Sequence, residues 1–345
     1  MNSRERVQTA LSHETPDRPP VFATFVPEIA QKLREVTGLT GPDLGAALGN
    51  DLVKTCVGLE LSFYGQPYPE YTDAWGIRWR YVHNAFGVFT EIAEHPLAGD
   101  PAKLGTFTVP DPLADAQYAT FREMKAQYGR DKWLIGSSQI SLFEAAWYLR
   151  GLEQFMMDLA LEPEYAGALL DKVMQFPLGA ARKYATLGAD MIWFGDDISS
   201  QQGMMLSPAM WRAFLKPRYA ALFAATKQAR PDVKIAYHSC GNCTAILDDL
   251  VELGLDVLNP LQPLAINPFA VKQRYGRRLA LFGGLCVQRV LPRGTPAEVR
   301  AEVRRLKAGC GAGGGYILAP AHHIQADTPL ENIRAFYDEA LRPAP

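Results

Sequence analysis

The chain has no run of lysines and arginines, and over 345 residues its formal net charge is only −2. It therefore lacks the electrostatic footprint of a nucleic-acid binder or of a protein held on an anionic membrane. No stretch approaches the ~18 uninterrupted apolar residues of a membrane span. The opening MNSRERVQTALSHE is polar and charged, without the basic-then-apolar order of a secretory signal. Cysteine is scarce: Cys56, Cys240, Cys243, Cys286 and Cys310 are an odd, scattered set. With no export signal they read as reduced thiols of a cytoplasmic protein, some of them free to bind metal. Low-complexity segments, fixed-period repeats and obvious linkers are also absent.

What is present is a globular composition, 48% hydrophobic and 21% charged, with a core large enough to need no disulfides. From about residue 130 onward, short apolar runs alternate with longer amphipathic ones. The runs are WLIGSS (133–138), MIWFG (191–195), VKIAYHS (233–239), DVLNPL (256–261), RLALFGG (278–284) and GYILAP (315–320). They do not alternate in polarity and are bounded by Gly, Pro or Asp, as expected of parallel strands buried on both faces. PVFATF (20–25) and DLVKTCVG (51–58) bring the count to eight. Thr295 and Thr328, each followed by Pro and then by Glu298 or Glu331, predict capped helix starts; Pro217 predicts a break in a long helix. Eight strands alternating with helices predict a (βα)8 barrel in one domain over 1–345, with a doubly wound open sheet as the alternative. Residues 60–130 break the alternation. Their aromatic, partly alternating pattern, with Gly76 and Gly87 as turns, predicts a small antiparallel insertion over one end of the barrel.

Chemistry in such a barrel sits at the carboxyl ends of the strands. Gln139 and Glu144, Asp196 and Asp197, His238 and Cys240, Asn259 and Gln262, Gly283 and Gly284, and His322 and His323 all fall there. His238 and Cys240 are two apart on one strand, so both side chains point the same way. Imidazole and thiolate suit zinc, which needs a third protein ligand and keeps a fourth position open for chemistry. The bland alternative is a buried cysteine beside a hydrogen-bonded histidine. Cys243 makes a C-x-x-C with Cys240, but thioredoxin-like redox motifs open a helix in a smaller fold and lack the preceding histidine. The third ligand is expected from His322 or His323 after the last strand, with Cys243 left open; Cys310 precedes that strand and belongs to packing. Asp196 and Asp197 are candidates for acid–base work or for orienting a metal-bound histidine, against a bland role in helix capping. The glycine-rich GCGAGGGYIL leads into a strand, which is the wrong context for a phosphate cradle. Trp193, near a strand end, is the one tryptophan placed to meet a ligand; Trp75, Trp79 and Trp211 read as core.

Several stretches together resemble the uroporphyrinogen decarboxylase superfamily over nearly the whole chain: RERVQTALSHETPDRPPV, DAWGIRWR, HSCGN, LNPLQP, FGGLCVQRVLPRGTPAEVRAEV and GGYILAPAHHIQADTPLENI. The resemblance implies a (βα)8 barrel. It also implies either a tetrapyrrole decarboxylase or a zinc-dependent methyltransferase working with a corrinoid (cobalamin) protein. The decarboxylases carry an arginine-bearing stretch that grips carboxylates. Here PPVFATFVPEIAQKLREVTG has only Arg34, so that clamp is missing. The methyltransferase branch, which includes O-demethylase methyltransferases, holds zinc with His-x-Cys and a later Cys. This chain matches at His238 and Cys240 and carries His322 where the later cysteine would stand. One thiolate and two neutral imidazoles leave a formal charge of about +1 on the protein-bound ion by ligand counting, which favours polarising an oxygen.

The resulting expectation is O-demethylation of a small methyl ether, with the methyl passed to the cobalt of a corrinoid partner. Gln139, Glu144, Trp193, Gln262, His323 and Gln325 would line the substrate, and Asp196 or Asp197 would orient His238 or handle the proton. The alternatives are a tetrapyrrole decarboxylase and a non-catalytic binder of corrinoid or small ligand. Self-association as a homodimer is left open.

Overall fold

The computed structural model describes residues 1–63, 69–84 and 87–343. Its strands are β1 (Leu52–Cys56), β2 (Glu70–Thr72), β3 (Arg78–Asn84), β4 (Gly87–Glu94), β5 (Trp133–Ser137), β6 (Met191–Gly195), β7 (Lys234–His238), β8 (Val257–Leu261), β9 (Ala280–Leu285) and β10 (Tyr316–Pro320). Seven of them form one all-parallel sheet in the order β1-β5-β6-β7-β8-β9-β10, with helices in the connections. This is the sheet of an α/β barrel.

The eighth position differs from expectation. Segment 20–25 is no laddered strand; it makes isolated parallel bridges, Val21 with Leu318 and Phe25 with Ile324. It still joins the two edges of the sheet. The Phe22 N–H donates to the Leu318 carbonyl at 3.2 Å, and the Asp51 N–H donates to the Val21 carbonyl at 2.8 Å. Two local causes interrupt the ladder. Pro20 has no amide to donate, and the amides of Val21 and Ala23 are taken by the side chains of Asp51 and Asn50 at 2.8 and 3.0 Å.

Within 60–130, β2, β3 and β4 form the antiparallel sheet among the described residues, and helix Ala119–Tyr128 lies in the β1-to-β5 crossover and packs on both strands. Gly76 turns with φ near +77°, a conformation that favours glycine. Trp79 anchors the insertion: it is 1% exposed, its indole N–H donates to Asp73 at 2.9 Å, and its ring meets Tyr148 edge-on.

Helix starts follow the capping chemistry in part. Thr295 and Glu298 form the reciprocal box ahead of Pro296–Cys310. The second expected box does not form: helix Leu330–Ala340 begins after Pro329 without a side-chain cap, and the Thr328 hydroxyl is buried with no partner. Near Pro217 the chain divides into Pro208–Phe214 and Lys216–Ala229. Among the described residues no helix is long and apolar enough to cross a membrane.

The barrel interior is a cluster of alternate strand residues: Leu52, Trp133 and Ile135, Met191 and Trp193, Ala236, Val257, Ala280 and Phe282, Ile317 and Ala319. Residues i and i+2 share a face. The next inward positions toward the carboxyl ends are therefore Lys54, Ser137, Gly195, His238 and Asn259, while Gly284, with φ near +101°, opens outward toward Leu306 and Tyr316. The apolar filling gives way to polar side chains at that layer.

Candidate metal centre

His238 is the last residue of β7 and Cys240 lies just beyond it. The chain turns back there through Gly241, whose φ is near +83°; a side chain would collide with the backbone carbonyls of Ser199 and Ser200. Gly195 on β6 has a similar reason to be bare, because a Cβ would stand 2.6 Å from the His238 carbonyl. These two glycines let β6 and β7 approach and bring the 240–243 turn under the loop after β6.

The ligand atoms of His238, Cys240 and His322 all lie within 4.8 Å of one another. His238 Nε2 and Cys240 Sγ are 3.5 Å apart. Tetrahedral zinc with usual bond lengths separates a nitrogen and a sulfur ligand by about 3.6 Å, so the pair already stands at ligand spacing. Asn259 fixes the tautomer that ligation needs. Its Oδ1 is 2.6 Å from His238 Nδ1, while its own amide donates to the Phe282 carbonyl at 3.4 Å. Nδ1 is thus the donor, and the Nε2 lone pair faces Cys240. Burial lowers the pKa of His238, against the opposing pull of Asp197 and Asn259. His322 is exposed at the rim, yet packed protein around the mouth and the neighbouring His238 push its pKa down as well. Both imidazoles are therefore neutral near pH 7, as metal ligands must be. Burial raises the Cys240 thiol, so metal binding there releases a proton.

Asp197 is at the centre and Asp196 is not. Asp197 Oδ1 accepts the Cys240 N–H at 2.8 Å and lies 3.5 Å from His238 Nε2. Asp196 is fully buried on the other side of the strand, accepting the N–H groups of Leu142 and Glu144 at 3.0 Å and the Tyr219 hydroxyl. It serves the start of helix Phe143–Arg150. Burial raises its pKa to about 6.

The other expected substrate residues divide in the same way. Gln139, Trp193 and His323 line a cavity of about 60 Å³ at the centre, together with His238 and His322. Glu144 does not: it points beneath the loop, accepts the Asp197 N–H at 2.9 Å, and is held far above the usual carboxylate range by burial beside Asp197 and Asp196. Gln262 braces the turn by accepting the Gly241 N–H at 2.9 Å, and Gln325 donates to the His323 carbonyl at 2.9 Å. Cys243 is buried outside the ligand group, and Cys310 is packed before β10.

Lys54 is the polar lining residue that sequence reasoning passed over. Its ammonium lies 4.8 Å over the Trp193 ring and donates to Glu60 at 2.7 Å, while Glu60 also accepts from Ser137 at 2.6 Å. The signal was available: Leu52 and Lys54 share a face, and a lysine on the inward face of a barrel strand has only the mouth to reach.

Comparison with known proteins adds three findings. The family model described as "Uroporphyrinogen decarboxylase (URO-D)" matches residues 74–342. Among curated proteins, a methylated-thiol--coenzyme M methyltransferase of Methanosarcina mazei is 26% identical over 56% of this chain and 49% of its own length. A methylcobamide:CoM methyltransferase of Methanosarcina barkeri is 29% identical over 48% and 47%. Uroporphyrinogen decarboxylases match too, at 22% to 31% identity. The chain thus spans about half the length of the first of these curated relatives. Among solved structures, a methyltransferase from Methanosarcina mazei superposes with a TM-score of 0.74 over 99% of this chain and 98% of that one, at 22% identity. That likeness shows the fold.

Proposed function

The chain belongs to the uroporphyrinogen decarboxylase (URO-D) family, and from that premise we propose that it is a zinc-dependent methyltransferase. In this reading it moves a methyl group between a small methylated substrate, favoured to be a methyl ether, and the cobalt of a corrinoid protein. The observation that carries it is the His238–Cys240–His322 group at the carboxyl ends of the strands. Bound by those residues, zinc supplies Lewis acidity beside the bound substrate. The matched stretches of two methyltransferases, one acting on methylcobamide by its name, support the methyl-transfer and corrinoid parts.

The chain's own residues then have defined work. Asn259 orients His238, and Asp197 holds the Cys240 backbone while presenting a carboxylate oxygen at the centre. Trp193 and Gln139, joined by a 3.1 Å hydrogen bond, form one wall. Lys54 sets a cation beside the position of a departing oxygen.

A tetrapyrrole decarboxylase is the second reading, favoured by the family's own description. Its substrate carries several carboxylates, whereas the two cavities at the mouth have no arginine in their walls and one lysine already paired with Glu60.

The test is to supply aryl methyl ethers and cob(I)alamin and follow methylcobalamin, with zinc measured on the same protein. Methylcobalamin formation with near-stoichiometric zinc, lost in His322→Ala, is expected. Thiol methylation by methylcobalamin alone would overturn the ether assignment. Retained zinc in His322→Ala would move the third ligand elsewhere.

A further inference from the structure

Three backbone amides at the carboxyl end of the barrel find no acceptor in a helix or strand, and a carboxylate takes each of them. Glu144 lies in the first turn of helix Phe143–Arg150, where intrahelical acceptors are missing. Its N–H donates to Asp196 Oδ1 at 3.0 Å. Asp197 stands past the end of β6, and its N–H donates to Glu144 Oε2 at 2.9 Å. Cys240 stands past the end of β7, and its N–H donates to Asp197 Oδ1 at 2.8 Å. Each residue holds the amide of the next, and the next carries the carboxyl group that continues the series. The series starts at Asp196, fixed by the Tyr219 hydroxyl and the Leu142 N–H, and ends on the backbone of a metal ligand.

We propose that Glu144 is a positioning residue of the metal centre: from outside the cavity it holds the loop after β6 where Asp197 can set Cys240. This rests on the His238–Cys240–His322 metal reading and adds to it a residue that touches no ligand atom.

Three observations carry the inference. The first is that the links have no substitute. Among the described residues, Glu144 is the acceptor for the Asp197 N–H and Asp197 is the acceptor for the Cys240 N–H, with no other acceptor for either. The second is leverage. The loop that Glu144 holds grips the Cys240 peptide from its other side too, because the Ser199 hydroxyl donates to the Cys240 carbonyl at 2.7 Å. Asp197 Oδ1 also lies 3.5 Å from His238 Nε2. A shift of residue 197 therefore disturbs two ligands at once, and such sites need their groups held within about 0.5 Å. The third is chemistry. Glu144 is buried without a lysine or arginine among the described residues, and its other oxygen meets only the Tyr148 hydroxyl at 3.4 Å. Burial beside Asp197 and Asp196 holds its carboxyl far above the usual range. It thus serves as an acceptor without setting a second charge next to Asp197, and a neutral amide of the same shape should do the same work.

The experiment compares the wild type, Glu144→Gln, Glu144→Ala and the volume-keeping Glu144→Met, which decides if Glu144→Ala does not fold. Two quantities are read on each: exchange of the Cys240 amide hydrogen in metal-free protein, by NMR, and zinc affinity in competition with a chelator. Glu144→Ala and Glu144→Met are expected to exchange that amide at least tenfold faster and to bind zinc about tenfold more weakly, the lower end of what loss of an outer partner costs. Glu144→Gln keeps the acceptor and should match the wild type in both. The Ser239 amide, bonded to the Asn259 backbone carbonyl at 2.8 Å, should exchange alike in all four proteins. A merely structural role would lower the urea midpoint of Glu144→Ala and move neither readout, which overturns the inference. Glu144→Gln behaving like Glu144→Ala overturns it as well. The exchange readout needs neither metal nor substrate, so the two proposals fail separately. A wild type that behaves as expected here and moves no methyl group would sink the function and keep the positioning role. Methyl transfer by Glu144→Ala with a protected Cys240 amide and full zinc affinity would do the reverse.

Discussion

Apart from the Lys54–Glu60 pair at the mouth, the two ends of the barrel handle their carboxylates in opposite ways. At the amino-terminal end, Asp51, Asp190 and Asp256 stand just ahead of β1, β6 and β8. Asp51 takes Arg6 at 2.7 Å and Arg18 at 2.6 Å, Asp190 takes Arg4 at 2.7 Å, and Asp256 takes Lys227 at 2.9 Å. Each also accepts a backbone N–H of a neighbouring element, from Val21, Leu134 and Ile235 respectively. At the carboxyl-terminal end, Glu144, Asp196 and Asp197 have no lysine or arginine ion pair among the described residues. Their partners are backbone amides, two tyrosine hydroxyls and His238. Saturated charge makes the first end a clamp. The Asp197 carboxylate beside neutral imidazoles leaves the second end able to receive a cation, at some cost in stability.

The largest expected contrast sets Asp51→Ala against His322→Ala in metal-free protein. Removing Asp51 strands the Arg18 guanidinium, 11% exposed, and leaves Arg6, 9% exposed, with only its more exposed partner Asp17. Breaking a buried pair from one side costs roughly 3–5 kcal/mol. His322 is exposed and has ring contacts only, so its loss should stay within about 0.5 kcal/mol while stoichiometric zinc disappears. Urea midpoints and zinc analysis on both variants read the two effects. Equal losses of stability at the two ends would end the distinction between clamp and site.

The acid limb of stability sharpens it further. Burial raises Asp196 to about 6 in the folded state, above its unfolded value near 3.9. A raised carboxylate contributes stability that is full below the unfolded pKa and is lost as pH rises through the folded one. Between pH 7 and 4 this group should therefore add about 2 kcal/mol on acidification. In Asp196→Asn, which keeps an acceptor for the Leu142 and Glu144 amides, that increment should vanish. The amino end has the opposite sign: Arg6 holds Asp17 well below the usual range, so its contribution is lost as pH falls. Denaturation midpoints of the wild type and Asp196→Asn from pH 4 to 7 give the slope, and parallel curves would refute the assignment.

How far the residues themselves announced these two ends depends on period. Strand positions were readable because both faces are buried and the runs are bounded by Gly, Pro or Asp; His238 and Cys240 fall together for the same reason. Place after the last strand offered His322 or His323, and the family resemblance singled out His322, since nothing local ties it to residues 84 and 82 positions away. Segment 20–25 misled because its composition suits a strand while its amides are satisfied by Asp51 and Asn50 side chains, a tertiary fact. Glu144, Gln262 and Gln325 stand outside the wall of the central cavity for another reason. A polar residue beyond a strand end can line the mouth or brace the loop that forms it, and that choice depends on side-chain direction in irregular backbone. Lys54 shows that alternation inside a strand carries more information than position after one.

The smallest effect is the most specific to the site. Asn259 borders the central cavity, but its side chain is committed to His238 and to the Phe282 carbonyl, which makes it a positioning residue. Loss of such a partner to a metal-bound histidine typically weakens metal affinity about 10–100-fold, which corresponds to roughly 1.4–2.7 kcal/mol. Asn259→Ala should show that loss in competition with a zinc chelator. A merely structural role would lower the urea midpoint and leave zinc affinity alone. Asn259→Asp separates the two further: a carboxylate still accepts from Nδ1–H and makes the imidazole a better donor to metal, so zinc affinity should return to the wild-type level or exceed it. The clamp end offers no counterpart, because Asp51→Asn would leave both arginines short of charge whatever metal is present. Recovery by Asp at 259 and not by Asn at 51 is therefore the signature of a carboxyl end arranged around a ligand and an amino end arranged around its own charges.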